Sequence, residues 1–459
     1  MRPGRGEVVA PTWDDPFMAA SSPVVGGVLG AHARPHPFWT PLRVVLVLVT
    51  LTAMLWLVRT APCSGGAWWG EDRFSDLCYS DVPLSYVEQG HAERTLPYSD
   101  TQGRYPATTG TPPVAAVAYV ASVGAQWLSG SPDVDARSDL PLSQLNDSPA
   151  LDQEATTYFY LAVLLLFGFA LVTATVIART SGRRPWDAAA FAAAPALLLA
   201  GVIGWDLLAV VLAVGAWAAW TRSRLVLAGV LAGLAVATAV WPLALLIAVV
   251  LVGARTGQGR AVGLTALAAG TTWTLVQLPA LALGPSGWWA TVNPRLGDPA
   301  GYGSLWGMAA DAGFSADPEL MARVVLAAVA VVTVGVAWVT WHSPRPQVAQ
   351  LALLLLVGWL VVWPVYSPQQ VLWLLPLAVL ARPRWRDLLI WQAAEAFYFL
   401  AIWMHLSGAT LDTGRVDRVY AIAIVTRVAA EVWFAWRVLS DVRHPRAQGS
   451  RTRSNAVVV

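Results

Sequence analysis

The chain has no lysine; all 30 of its Lys/Arg positions are arginine, in 459 residues. Charge is scarce altogether, at 13% of residues, where a soluble domain carries roughly a quarter. Neither sign dominates. A net charge of +2 excludes the strongly basic face that nucleic acid demands. Two cysteines are too few for a cysteine-rich metal or disulfide framework. No phosphate-cradling G-x-x-x-x-G-K-[ST] run occurs, and no G-x-G-x-x-G follows a strand pattern. The histidines are scattered, with no metal-ligand spacing. No apolar stretch near Met1 has the length and flanks of a secretory leader.

What remains is apolar. Hydrophobic residues make up 56% of the chain and mean hydropathy is +0.54. The Ala/Val/Leu-rich runs reach about 17–25 residues, the length that spans a bilayer. In lipid such runs are helices, because every backbone polar group must be satisfied within the segment. The expected fold is therefore an all-α polytopic membrane protein. About twelve spans are predicted, at 43–60, 155–178, 187–203, 205–221, 224–240, 242–254, 261–283, 320–341, 348–363, 368–381, 387–406 and 418–438. Arginine-rich loops stay in the cytoplasm. With these spans, the basic connections Arg179–Arg184, Arg222–Arg224, Arg255–Arg260, His342–Arg345 and Arg382–Arg386 all fall on that side. Residues 1–40 and 440–459 read as disordered cytoplasmic tails flanking a membrane domain over 41–439.

One apolar segment, 113–129, must not span, or every later basic loop would flip outward. It is expected to be a re-entrant or interfacial helix within one long extracytoplasmic insertion, 61–154. Cys63 and Cys78 both lie in that insertion. An oxidising exterior permits a disulfide between them, two free thiols being the alternative. Within the bilayer, Glu395 and Arg427 sit at similar depth on consecutive spans. They are expected to pair, with Glu431 as a further member.

The insertion carries Arg73-Phe74-Ser75-Asp76-Leu77-Cys78-Tyr79-Ser80-Asp81, then Gly90, Leu96-Pro97-Tyr98 and Arg104-Tyr105-Pro106. Further on come Asn293-Pro294-Arg295, Gly303-Ser304-Leu305-Trp306 and Val365-Tyr366-Ser367-Pro368-Gln369. In order and in sidedness, this pattern resembles the GT-C superfamily of polyprenyl-phosphate-sugar glycosyltransferases. Within it, the pattern is similar to glycosyltransferase family 87, the actinobacterial mannosyltransferase-like membrane proteins. The chain departs from that family at two places. Family members tend to carry lysine where this chain has Val240, before Trp241-Pro242, and Asn-Lys where it has Trp363-Pro364.

The resemblance implies an inverting hexosyltransferase in the plasma membrane, with both termini cytoplasmic and the active site extracytoplasmic. Its donor substrate would be a polyprenyl-phosphate sugar, mannose foremost, and its acceptor a glycolipid or glycan. No other cofactor and no metal are implied. Such a reaction calls for a carboxylate base to deprotonate the acceptor hydroxyl. It also calls for cationic or hydrogen-bonding groups to take up charge on the leaving phosphate. By resemblance Asp81 is the first-loop catalytic base; the alternative is an N-cap of a helix with Pro83 in its first turn and Glu88 further along it. The candidate substrate-binding residues are Asp72, Arg73, Asp76, Tyr98, Arg104, Tyr105, Asp206, Asn293, Arg295, Trp306, Tyr366 and Gln369. The competing readings are a non-catalytic relative that assists envelope assembly and a transporter or flippase of a lipid-linked precursor.

Overall fold

A computed structural model of the chain describes residues 38–99, 103–105, 110–131, 134–141, 149–182, 184–293, 298–410 and 417–444. The expected tails at 1–40 and 440–459 lie largely outside the described residues, which include no strand. Helix α1 (Pro41–Thr60) starts on Thr40, whose hydroxyl accepts the Arg43 N–H, with proline at the first helical position. The insertion follows, with α2 (Asp72–Ser75), α3 (Asp81–Glu88), α4 (Pro112–Ser129) and three short 3-10 turns. Helix α5 (Pro149–Thr180) re-enters the bundle. After it come α6 (Ala189–Ala192), α7 (Pro195–Ala200), α8 (Asp206–Thr221), α9 (Leu225–Thr238), α10 (Leu243–Arg255) and α11 (Gly259–Leu283). The chain continues through α12 (Pro285–Val292), α13 (Leu305–Asp311), α14 (Pro318–His342), α15 (Val348–Val362), α16 (Val371–Ala381), α17 (Trp385–Leu406) and α18 (Arg418–Arg443).

Six of these helices are long and apolar enough to cross a membrane: α1, α5, α11, α14, α17 and α18. Five shorter apolar helices fall where spans were expected: α8, α9, α10, α15 and the run Pro368–Ala381. The remaining expected span, 187–203, is not one helix. It divides into a 3-10 turn (Pro185–Ala188), α6 and α7. Pro195 explains the second break: it has no N–H to give, and it holds Ala194 in an extended conformation. A bilayer suits the surface. Helix α14 turns Leu326, Val331, Val334 and Trp338 outward, each more than half exposed, and a helix in lipid needs no polar face.

Close helix contact is written into α9 as Gly229 and Gly233, four residues apart. A side-chain carbon on Gly229 would lie 2.4 Å from the Thr265 carbonyl, and one on Gly233 2.4 Å from that of Ala269. Only glycine permits this approach of two backbones. It sets the spacing of α9 and α11 along one wall of a cavity described below.

The insertion packs on α5 through a buried carboxylate. Glu154 accepts from the Tyr86 hydroxyl (2.8 Å), the Ser131 hydroxyl (2.5 Å) and both terminal nitrogens of Arg137 (2.8 and 2.7 Å). Helix α4 packs along α5 and buries Ala118, Ala121 and Ala125 in the same core. It leaves Val120 and Trp127 exposed. Cys63 and Cys78 are joined in a disulfide, which ties the end of α1 to the loop before α3. Replacing Cys78 with serine is expected to cost about 3 kcal/mol, the chain-entropy value for a loop of this size. A thermal melt of the purified protein with and without reductant checks it; equal midpoints would contradict it.

Candidate functional site

Asp81 is placed by backbone contacts between distant parts of the chain. The Ser80 hydroxyl caps α3 by accepting the Val82 N–H (3.2 Å) and donates to the Val202 carbonyl (2.7 Å). The Asp81 N–H donates to the Ile203 carbonyl (2.7 Å). The first turn of α3 is thereby fastened to the turn that leads into α8, where Asp206 is the first helical residue.

The result is two carboxylates facing one spot over Gly204. A carbon added to Gly204 would sit 3.0 Å from Asp206 Oδ2, 3.8 Å from Asp81 Oδ2 and 4.0 Å from Gln369 Nε2. The Tyr79 hydroxyl donates to Asp81 Oδ1 (2.7 Å) and the Gln369 amide to Asp81 Oδ2 (3.3 Å). Trp373 Nε1 donates to Asp206 Oδ1 (2.7 Å). Gln369 and Trp373 are four residues apart, so one face of a single helical run serves both acids.

Burial pushes the Asp81 carboxyl up to about 6; the Tyr79 hydrogen bond opposes the shift and the Glu88 charge adds to it. Burial and the Asp81 charge together raise Tyr79 above its usual range, so it remains a hydroxyl donor. A carboxylate poised near neutrality, and held by donors on both oxygens, is suited to accept a proton from a bound hydroxyl.

A cavity of about 590 Å³ lies among three later helices. Its walls come mainly from α9, α10 and α11 and include Val236, Leu246, Val250, Ala266 and Trp273, with Thr111, Gln277 and Thr291 as polar lining. Val240 lines it too. The next residue, Trp241, stacks on Trp373 with ring centres 6.1 Å apart and planes inclined by 15°. Apolar cavity and acid pair are therefore linked through two tryptophans.

Of the expected site residues, Asp81, Asp206 and Gln369 come together. Arg73 flanks them, with its guanidinium 5.7 Å from the Tyr79 ring while it donates to the Trp68 and Trp69 carbonyls. Others are placed elsewhere. Asp72 and Asp76 are exposed on α2 and its cap. Arg104 is bound to Glu93 at 2.5 Å and to the Leu140 carbonyl at 2.6 Å, which commits it to the insertion's own fold. The Tyr105 ring packs under Gly90. Tyr98 packs with Ala115 and Ala280, and its hydroxyl donates to the Gly110 carbonyl. Asn293 is an exposed cap of α12. Trp306 packs on Met321 and Val325 and donates to the Val362 carbonyl. Arg295 lies outside the described residues.

Tyr366 is fully buried, its hydroxyl on Glu395 (3.2 Å) and its ring under Arg427. It lines no open site. No direct Arg427–Glu395 bond is formed: Arg427 pairs with Glu431 at 3.0 Å, one turn along its own helix, where residues four apart share a face. Trp373, Tyr79 and Gly204 were not among the expected site residues. Trp373 had a readable signal, since it stands one helical turn beyond Gln369.

Compared with protein-family models and with curated proteins, the chain matches none.

Proposed function

We propose that the chain is a membrane glycosyltransferase that moves a hexose, mannose foremost, from a polyprenyl-phosphate donor to an extracytoplasmic glycolipid or glycan. Asp81 serves as the general base. The observation that carries this reading is the buried Asp81 carboxyl, poised near neutrality and facing Asp206 and Gln369, with the stacked pair Trp373 and Trp241 leading from Asp206 toward the Val240 wall of an apolar cavity. The cavity suits a prenyl tail, whose burial contributes about 0.8 kcal/mol per methylene. The proposed reaction breaks the bond between the anomeric carbon and the phosphate oxygen. The acceptor oxygen bonds that carbon from the opposite face, its proton passes to Asp81, and polyprenyl phosphate leaves. The Cys63–Cys78 disulfide supports an oxidising, extracytoplasmic location for the site.

One observation favours the non-catalytic alternative. Val240 places an aliphatic side chain on the cavity wall where the family tends to carry lysine.

The reading is tested by incubating membranes with labelled polyprenyl-phosphate-mannose or with a labelled nucleotide sugar. Label is expected to pass to lipid or glycan from the first donor alone; transfer from the nucleotide sugar alone would contradict the donor class. Transfer should also fall about tenfold for each pH unit below 6, as Asp81 takes up its proton. A flat profile from pH 4.5 to 7 would remove Asp81 from the role.

A further inference from the structure

Gln369 reaches Asp81 from a short 3-10 turn, Pro368–Gln370. The contact is single and, at 3.3 Å, long, so a small displacement of the turn breaks it. What holds the turn lies behind it. Two backbone hydrogen bonds, Gly301 N–H to Pro364 O (2.8 Å) and Tyr366 N–H to Tyr302 O (2.9 Å), join the 301–303 loop to the segment that leads into the turn.

Arg427 contacts both segments of this junction. It is almost wholly buried, at 1% exposure. One terminal nitrogen donates to the Gly303 carbonyl (3.0 Å), the other pairs with Glu431 (3.0 Å), and the guanidinium lies 3.5 Å from the centre of the Tyr366 ring. Tyr366 is fixed again at its carbonyl by the Tyr398 hydroxyl (2.7 Å). On its other side the turn borders a small void. It is about 10 Å³, room for one water, and is bounded by Pro368, Val371, Glu395 and Tyr398. Lysine cannot replace Arg427, because a point charge neither stacks flat on a ring nor forks to two acceptors.

We propose that Arg427 is a positioning residue: by clamping Gly303 to Tyr366 it sets the place from which the Gln369 amide bonds Asp81. The proposal deepens the glycosyltransfer reading and rests on it for any effect on rate, while its geometry stands on the contacts above.

The test reads Asp81 itself. A lipid-soluble carbodiimide takes the proton of a protonated carboxyl, accepts the carboxyl oxygen on its central carbon, and rearranges to a stable acylurea. Labelling of the Asp81 peptide in the purified full chain, followed by mass against pH, gives a midpoint expected at about 6 in the wild type. The groups that face Asp81 are Tyr79, Glu88, Asp206 and the uncharged Gln369. Gln369→Leu removes a donor to the charged form and should raise the midpoint by about one pH unit. Arg427→Lys should raise it by a similar amount, and the double variant no further. An unchanged midpoint in Arg427→Lys, no shift in Gln369→Leu, or additive shifts would each overturn the proposal. If Arg427→Lys does not accumulate, Glu431→Gln, which removes the charge facing the guanidinium, is read by the same rule. The labelling uses no sugar donor. Shifted midpoints in a chain inert toward every lipid-linked sugar would sink the function reading and leave the positioning role standing.

Discussion

Asp81→Asn is expected to lower sugar transfer by about a hundredfold to ten-thousandfold, the usual worth of a general base, while making the protein more stable. The two effects have one cause. Asparagine keeps the shape and still accepts from Tyr79, so substrate binding should change little and the loss should fall on kcat. The folded chain holds the Asp81 proton up to about pH 6, whereas a free aspartate releases it near 3.8. Between those values the folded state binds more protons than the unfolded one, so stability falls as pH rises through the window. Above pH 6 the full penalty of a buried charge is present, and asparagine carries none. A gain on the order of 1 kcal/mol at pH 7.5, absent at pH 4, is the expected signature. Activity lost together with stability at pH 7.5 would instead make Asp81 a structural acid.

The second large effect concerns the apolar cavity. Gly270 lines it on α11, and a side-chain carbon added there meets nothing within 4 Å. Gly270→Trp therefore starts its side chain in open space on the cavity wall, where the indole is expected to occupy part of the cavity, and it removes a residue that costs a helix interior up to about 1 kcal/mol against better formers. If the cavity holds the donor's prenyl tail, the indole displaces several methylenes. Losing about four of them, at roughly 0.8 kcal/mol each, should lower kcat/KM about a hundredfold for a long-chain donor. A short, water-soluble donor analogue should be nearly unaffected. Equal losses with both donors would show that the substitution damages the fold, and no loss with either would remove the cavity from donor binding.

Much of the helical layout was legible because apolar runs of spanning length have one solution in lipid. The run at 187–203 misled because composition counts its alanines and leucines equally on both sides of Pro195, while the backbone cannot pass through that proline unbroken. Asp81 was legible from its loop. Asp206 and Gln369 stood out individually, but nothing in the spacing joined them. Their meeting depends on Ser80 and Asp81 bonding the carbonyls of Val202 and Ile203, contacts between segments more than a hundred residues apart. Aromatic and cationic candidates fared worse for a related reason. Tyr366, Trp306 and Arg104 have the right chemistry for a ligand, yet each is spent on an internal partner: Glu395, the Val362 carbonyl and Glu93. Arg427 shows the opposite case. Its partner, Glu431, was readable four residues along the same helix, and equal depth in the bilayer drew attention to Glu395 instead.

The most direct measurement is transfer of labelled mannose from its polyprenyl-phosphate donor to native lipid acceptors at pH 7.5, by wild-type protein and by Asp81→Asn protein reconstituted in vesicles at equal amounts. The account predicts labelled product from the wild type and at least about a hundredfold less from the variant. Equal transfer by both proteins, or none by a folded wild type offered the full set of lipid-linked hexoses, would contradict it.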